Sequence, residues 1–294
     1  MPSGLVIVDK PSGLTSHDVV ARIRRLAGTR RVGHAGTLDP MATGVLVVGV
    51  ELATRLLGHL ALTQKQYLGT IRLGQATSTD DAEGEITAAA SAAGVTPEAL
   101  RAAAAALTGD IQQVPPGISA IKVGGKRAYR LTREGAPPEL AARPVTVSAL
   151  DILRTRPVSG PAGEELLDVD VDVTCSSGTY IRAIARDLGA ALGTGGHLTA
   201  LRRTRVGPYL IADALTLDEL AQALRVIPLA QAAGAAFTRR DLTAEEARRV
   251  GHGARLPAAG AGPGPVAAFA PDGTLVALLT EEEGQARSLA VFVS

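Results

Sequence analysis

The feature that most constrains the fold is a strict two-residue alternation over residues 166–175. One side of this segment carries Val169, Val171, Val173 and Cys175, and the other carries Asp168, Asp170, Asp172 and Thr174. Successive side chains of a β-strand point to opposite faces of the sheet. The pattern therefore predicts a strand of an antiparallel sheet with one buried and one solvated face.

Further strands are indicated by short apolar or alternating runs, at residues 5–8, 44–50, 67–73, 144–153, 198–206, 266–270, 275–279 and 289–293, with a hairpin over 118–126. Helices are indicated by 3.6-residue periodicity and caps: one follows the capping box of Thr15 and Asp18 and ends at Gly28, and others cover 52–62, 97 to about 109, 179–192 and 217–225. These elements do not follow a strict βαβ alternation, so we predict an α+β fold. We expect a main body over 1–236 and a small, mostly-β domain over 237–294.

Composition argues against several classes of protein. The chain has 294 residues and a net charge of +1. Its single cysteine, Cys175, excludes an internal disulfide and argues against a cysteine-based zinc site. The chain contains no run of 18 apolar residues, so we expect no transmembrane helix, and the N-terminus lacks the pattern of a secretory signal. We therefore expect a cytoplasmic protein.

The positive charges are concentrated in three segments. Residues 22–31, 122–133 and 182–205 each hold five Lys or Arg side chains, with Asp187 as the one acid among them. If the segments converge, they form a cationic face suited to a polyanion such as nucleic acid. The alternative is three unrelated solvated faces, and charge alone does not decide between them.

The glycine-containing segment 31–40 has no periodicity and is expected to be a loop. It carries Arg31, His34, Thr37 and Asp39. A carboxylate on such a loop can act as nucleophile, base or metal ligand, although Asp39-Pro40 could also be an ordinary turn. The P-loop spacing is absent, and two candidate ligands are too few for a convincing metal site.

Two further positions could carry chemistry. Arg182 lies in the first turn of a predicted helix, where a cation opposes the helix dipole and usually has a specific anionic partner, a phosphate or a carboxylate. Tyr67 begins a predicted strand and could stack on a nucleobase. The alternatives are a solvated arginine and a half-buried structural tyrosine.

Several motifs, in order along the chain, resemble those of the bacterial tRNA pseudouridine synthases of the TruB type. They are Val8–Pro11, the loop Gly33–Pro40 preceded by Arg31, Lys65–Tyr67, Leu73–Gln75 followed by Thr77, Thr79, Asp80, Asp81 and Gly84, Ser119–Lys122, Gly178–Arg182 and Leu201–Arg203. Together they span roughly residues 4–225, about three quarters of the chain.

The resemblance implies an isomerase that converts the uridine at tRNA position 55 to pseudouridine, without a metal or other cofactor. Asp39 would be the catalytic carboxylate, whether it attacks the sugar, adds to the base or acts through a glycal. Arg182 would pair with Asp39 and keep it ionised. Tyr67 would stack on the uracil, Leu201 would pack beneath it, Tyr180 and Asp81 would line the site, and Lys10 would support the loop.

The resemblance also implies how the T stem-loop of tRNA is held. The target base must leave its stack to be attacked, and His34 would fill the space that it vacates. Arg31, Lys122 and Arg202 would supply contacts to RNA, and a thumb-like insertion over about 112–140 would close on the T arm. The C-terminal part would be a PUA-like RNA-binding domain, and we expect a monomer. A non-catalytic role in RNA binding or tRNA folding is the alternative, and the two roles can coexist.

Overall fold

The structure is a computed structural model that describes residues 3–117, 122–123, 126–127, 140–262 and 264–293. Its α-helices are α1 Ser16–Ala27, α2 Leu57–Leu60, α3 Pro97–Ala106, α4 Ile181–Ala191, α5 Leu217–Gln222, α6 Leu229–Ala236 and α7 Ala244–Gly251, and short 3₁₀ helices cover Glu51–Leu56 and Ile211–Asp213. Its strands are β1 Gly4–Lys10, β2 Val32–Ala35, β3 Thr43–Val50, β4 Lys65–Leu73, β5 Gln75–Thr77, β6 Ile86–Ala89, β7 Gly109–Gln113, β8 Lys122–Val123, β9 Lys126–Arg127, β10 Arg143–Ser159, β11 Glu165–Cys175, β12 Gly196–Val206, β13 Tyr209–Leu210, β14 Ile227–Pro228, β15 Thr238–Asp241, β16 Leu256–Pro257, β17 Val266–Phe269, β18 Leu275–Glu282 and β19 Gln285–Val291.

Local chemistry determines the ends of α1. The Thr15 hydroxyl accepts a hydrogen bond from the Asp18 backbone, and the Asp18 side chain accepts one from the Thr15 backbone. This is the predicted capping box, which satisfies N–H groups that have no partner within the helix. Gly28 ends the helix at φ +62°, a left-handed conformation that glycine adopts at little cost.

The chain divides into two compact units, of which the first comprises residues 1–40, 44–63 and 205–294. In this unit β1 lies between β14 and β3, and β2 pairs with β3, with antiparallel registers throughout. One face of these strands packs on α1 and α5 through Val6, Val8, Val19, Ile23, Leu46, Val48 and Leu220. The segment 36–40, which carries Asp39, therefore follows a strand that is paired with the buried residues 47–50 of β3.

The C-terminal part of the first unit is a five-stranded sheet in the order β15-β17-β18-β19-β16. Its side chains Phe269, Leu278 and Phe292 share a hydrophobic core with Leu5 and Val47 of the N-terminal strands. The three predicted strands of this part are β17, β18 and β19, with shifted ends. The predicted boundary between residues 236 and 237 stays a prediction.

The second unit comprises residues 41–43 and 64–204 and contains the strand order β12-β4-β11-β10-β7. The apolar face of β11 is buried as the alternation predicts, with Val169, Val171 and Val173 fully inaccessible. The opposite face is not simply solvated. Asp168 is buried there and accepts two hydrogen bonds from the Arg72 guanidinium, at 2.7 and 2.9 Å. Charge pairing between neighbouring strands therefore replaces water on part of this face.

Three sequence predictions need correction or restriction. Residues 31–40 are not entirely a loop, since β2 pairs with Val47–Val50 of β3, a long-range contact that local periodicity does not show. The predicted helix 52–62 is a 3₁₀ helix followed by the single-turn α2. The predicted hairpin is confirmed where β8 pairs with β9, and the rest of 118–126 lies outside the described residues.

Among the described residues, no helix is long and apolar enough to cross a membrane.

Candidate active site and nucleic-acid interface

The loop that carries Asp39 is tied to the N-terminal elements of the first unit by buried polar contacts. The Lys10 ammonium, fully inaccessible at the end of β1, donates to the carbonyls of Pro11, Leu14 and Pro40 at 2.9, 2.6 and 3.2 Å. The Pro40 carbonyl also accepts from the Gly13 N–H at 2.8 Å. Buried cations need such oxygen partners, so Lys10 holds the end of the loop against β1.

Ser16 fixes the residue that precedes Asp39. Its hydroxyl donates to the Leu38 carbonyl at 3.1 Å and accepts from the Leu38 N–H at 2.9 Å, and both residues are buried. Asp39 itself is partly accessible. Gly36, at φ +86°, provides the left-handed turn between β2 and this segment. The carboxylate thus sits on a short loop whose backbone is held on both sides.

His34 and Arg31 lie at the two ends of this region. His34 is half-buried in β2, and its ring lies edge-on to that of His17, with centroids 5.6 Å apart. Arg31 is exposed, and its guanidinium is 3.9 Å from the Glu51 carboxylate. An exposed pair at this distance contributes little to stability, so Arg31 is available to an anion.

In the second unit, Arg182 has the anionic partner that its helix position predicts. Its Nε lies 3.5 Å from Asp81 Oδ2, and its Nη1 donates to the Thr79 carbonyl at 2.9 Å. Both Arg182 and Asp81 are buried. Asp81 also accepts from the Thr79 hydroxyl and from the Glu83 N–H. The guanidinium is therefore oriented by a carboxylate and a carbonyl from one turn.

The neighbouring Asp80 adopts φ +60°, an uncommon conformation for a residue other than glycine. Its carboxylate lies 3.4 Å from Arg186 Nη1, one helical turn after Arg182. Burial raises the pKa of Asp80, while the charges of Arg186 and Arg182 oppose that rise. Two consecutive aspartates thus meet two arginines on one side of α4.

Tyr180 is the N-cap of α4 and has no side-chain cap of its own. Its N–H donates to Gln113 Oε1 at 2.8 Å, and its carbonyl accepts from Gln113 Nε2 at 3.1 Å. Gln113 is buried at the end of β7. Local sequence patterns do not identify Gln113 or Ser16 as site residues, because their partners are 67 and 22 positions away.

Tyr67 and Leu201 lie on the neighbouring strands β4 and β12, and both are largely buried. The Leu201 carbonyl accepts from the Thr43 hydroxyl at 3.5 Å, and that hydroxyl accepts from Arg202 Nη1 at 3.3 Å. An aromatic and an aliphatic side chain on adjacent strands can form an apolar wall for a planar base.

Lys65, at the start of β4, is buried together with Cys175 and Arg203. Burial, reinforced by the Arg203 charge, lowers the pKa of Lys65 to about 8. Burial also raises the pKa of the Cys175 thiol to about 11. All three side chains lie in the second unit, as Tyr67 does, and Lys65 precedes Tyr67 by two residues on β4.

The basic segments differ in what they present to solvent. The five arginines of 22–31 are exposed: Arg22, Arg24, Arg25, Arg30 and Arg31. In 182–205, by contrast, Arg182 and Arg203 are buried and Arg186 is engaged by Asp80 and Asp187. That segment is therefore not a free cationic face. Lys122 lies in β8, and its side chain is outside the described part of the chain.

Within the ranges that the structure describes, no three His, Cys, Asp or Glu side chains are grouped to hold a metal ion. The chemistry that these residues offer is that of a carboxylate on a braced loop, a buried guanidinium and a pair of apolar side chains. Such groups can hold a charge and a planar ring in fixed positions.

Solved structures with this fold define the class of protein. The chain superimposes on the protein in the "Crystal Structure of a Cbf5-Nop10-Gar1 Complex" with a TM-score of 0.72 and 27% identity, covering 99% of this chain and 84% of that one. It matches the "Structure of H/ACA RNP bound to a substrate RNA containing 2'-deoxyuridine" with a TM-score of 0.72, 25% identity and coverage of 99% and 85%. The predicted α+β fold is confirmed as that of the pseudouridine synthases.

Family comparison identifies the branch of that class. Residues 24–181 match "TruB family pseudouridylate synthase (N terminal domain)", residues 182–231 match "tRNA pseudouridylate synthase B C-terminal domain" and residues 237–293 match "tRNA Pseudouridine synthase II, C terminal". The chain is 63% identical over 293 residues to the tRNA pseudouridine synthase B of Streptomyces coelicolor, covering 99% of this chain and 97% of that protein. It is 62% identical over 292 residues to the Thermobifida fusca protein of the same name, covering 99% of both. The chain belongs to the TruB family.

Proposed function

We propose that this protein is an isomerase that converts uridine 55, in the T-loop of tRNA, to pseudouridine. The bond between C1′ and N1 of the uridine breaks, the base rotates, and C1′ joins C5, which gives up its proton while N1 gains one. Reactant and product have the same atoms, so the proposal requires no co-substrate. The observation that carries it is the TruB-family match together with near full-length identity above 60% to proteins named tRNA pseudouridine synthase B.

Asp39 is the proposed catalytic carboxylate. Lys10 and Ser16 support this role, because they brace the backbone on both sides of Asp39 and leave its side chain partly accessible. A fixed carboxylate loses little freedom when the substrate binds, which lowers the cost of reaching the reactive geometry. Arg182 is proposed as the cation that steers this carboxylate in the reacting complex, a role taken from the family resemblance.

The base-binding roles are proposed for side chains of the second unit. Tyr67 stacks on the uracil and Leu201 packs beneath it, which their burial on adjacent strands supports. Asp81 and Tyr180 line the site beside Arg182. Extruding a base from its stack costs a few kcal/mol, so stacking on Tyr67 offsets part of that cost.

The RNA-binding roles are proposed for His34 and for the exposed cations. His34 is proposed to occupy the place of the extruded base. The exposed arginines of 22–31, including Arg31, are proposed to contact backbone phosphates, and Lys122 and Arg202 are proposed as further RNA contacts. Neutralised phosphates release counterions, so binding should weaken as salt rises.

Two expectations belong to the same proposal. The protein acts as a monomer in the cytoplasm. Light scattering of the protein, alone and with one tRNA, would test the oligomeric state. The segment 112–140 serves as a thumb on the T arm. Most of that segment lies outside the described residues, so this part depends on the family resemblance.

The experiment that tests the function compares wild type with Asp39→Asn on an unmodified tRNA transcript. Wild type should form one pseudouridine per tRNA, and the variant should form none while its Kd for tRNA stays within about threefold. Asn keeps the size of Asp but removes the charge. Product formation by the variant would reject Asp39 as the catalytic group. A wild-type protein that binds tRNA and forms no product would favour the non-catalytic alternative.

A further inference from the structure

The buried amide of Gln113 makes two hydrogen bonds to a single residue, Tyr180, at the start of α4. One end accepts from the Tyr180 N–H at 2.8 Å and the other donates to the Tyr180 carbonyl at 3.1 Å. Gln113 is 2% exposed, so water does not compete for either group. The N–H and the C=O of Tyr180 belong to two consecutive peptide units, so this two-point contact fixes the backbone on both sides of the Tyr180 Cα.

The start of α4 depends on this contact. The preceding turn contains Gly178 at φ +83°, and the side chain of Tyr180, the N-cap residue, does not cap the helix. The orphan N–H at the N-cap is therefore satisfied from β7, an edge strand far away in sequence. The direction in which the helix leaves the turn is set by Gln113 rather than by a local cap.

Arg182 lies two residues after Tyr180, in the first turn of that helix. A shift of the Tyr180 peptide would therefore move the Arg182 backbone with it. The residue that follows the strand strengthens the link, since the Val114 carbonyl accepts from Arg186 Nη2 at 2.8 Å, one turn further along α4. Gln113 and Val114 thus bind α4 at its first and second turns.

We propose that Gln113 is a positioning residue for the reaction, which places the Arg182 guanidinium by holding both the N–H and the C=O of Tyr180. This inference rests on the proposed function, since it gives Arg182 its role there. A misplacement of about 1 Å at a reacting group can lower a rate about 100-fold. Loss of the bracket should therefore affect the chemical step more than the binding of tRNA.

The test uses Gln113→Met, which is similar in size and removes both hydrogen bonds. Gln231→Met is the control, because Gln231 is an exposed glutamine of α6 that lies outside the thumb segment and the proposed site. With enzyme in excess over tRNA, Gln113→Met should lower the single-turnover rate at least tenfold and leave the Kd for tRNA within about threefold. Gln231→Met should match wild type. Equal rates for Gln113→Met and wild type, or equal losses in both variants, would overturn the proposal.

A second measurement separates positioning from general destabilisation. Arg182→Lys should lower the rate by itself, and adding Gln113→Met to it should lower the rate by a smaller factor than in wild type, because both changes act through the side chain at position 182. Rate losses that multiply would overturn the proposal. If Gln113→Met does not fold, Gln113→Asn keeps the amide, is one methylene too short to make both bonds, and should show the same selective loss of rate. A wild type without product would reject the proposed function itself, which distinguishes that failure from this one.

Discussion

Replacing Ser16 with alanine tests whether the loop carrying Asp39 is held by α1. Ser16 is 1% exposed and Leu38 is 4% exposed. The substitution removes one oxygen and with it both hydrogen bonds to the Leu38 peptide, at 2.9 and 3.1 Å. Alanine is a good helix former, so α1 itself should be unaffected.

The expected loss of stability follows from those two bonds. A typical hydrogen bond contributes about 0.5–1.5 kcal/mol net, and a buried polar group left without a partner costs about 1–3 kcal/mol. Two hydrogen bonds to the Leu38 backbone, at about 1 kcal/mol each, should therefore cost about 2 kcal/mol in free energy of unfolding. A domain of ordinary stability, about 5–15 kcal/mol, remains folded after that loss.

The assay pairs urea unfolding with the single-turnover rate of pseudouridine formation at 25 °C. Ser16→Ala should lose about 2 kcal/mol and react about tenfold more slowly, because the residue next to Asp39 is less well fixed. Ser159→Ala, at an exposed position, is the control. A variant that loses the stability but keeps the wild-type rate would refute the view that Ser16 positions the loop carrying Asp39 for the reaction.

Three further predictions follow from charge and burial. The triple variant Arg22→Gln, Arg25→Gln, Arg30→Gln should bind tRNA more weakly, and the slope of log Kd against log salt should fall by about 3 if each arginine meets one phosphate, whereas an unchanged slope would exclude this face. The Cys175 thiol, with its pKa raised to about 11 by burial, should react with a disulfide reagent at pH 8 far more slowly in the native protein than in urea, and rapid native labelling would contradict its burial. Because burial lowers the pKa of Lys65 to about 8, the unfolded state keeps a proton between pH 8 and 9 that the native state releases, so this group contributes a rise of about 1 kcal/mol in the free energy of unfolding over that interval. The raised pKa of Cys175 acts in the opposite direction in wild type and in Lys65→Met alike. The difference in free energy of unfolding between wild type and Lys65→Met, measured in urea, should therefore grow by about 1 kcal/mol from pH 8 to pH 9, and a difference that does not change with pH would contradict the shift.

The elements that were predicted correctly are those determined by nearby residues. The capping box of Thr15 and Asp18, the end of α1 at Gly28 and the alternation of β11 each depend on contacts within a few positions or on one period. Such signals are contained in any window of the sequence. The 3₁₀ helix and α2, over 51–60, show the limit of such local signals, because an apolar run is compatible with more than one type of helix.

The elements that were missed depend on partners far away in the chain. β2 exists because its backbone pairs with β3, and Asp168 is buried because Arg72 of the neighbouring strand meets it. Arg203 lies in a basic segment and is nevertheless buried. Sequence shows the charge of a side chain but not the partner that offsets the cost of burying it.

For the candidate site, sequence provided the residue types and the resemblance provided their roles. The anionic partner of Arg182 was expected from helix electrostatics, and Asp81 is such a partner. The residues that hold the site in place, Ser16 and Gln113, were not found. Their side chains act on backbone atoms of other segments, which leaves no pattern in the local sequence.

The central claim is best tested by mapping the product on an unmodified tRNA transcript incubated with the wild-type protein. Chemical adduct formation at pseudouridine followed by primer extension locates each converted position. We expect one new stop, at the T-loop uridine 55, that does not form with Asp39→Asn. Conversion at another position, or a stop that persists in the Asp39→Asn variant, would contradict the proposed function.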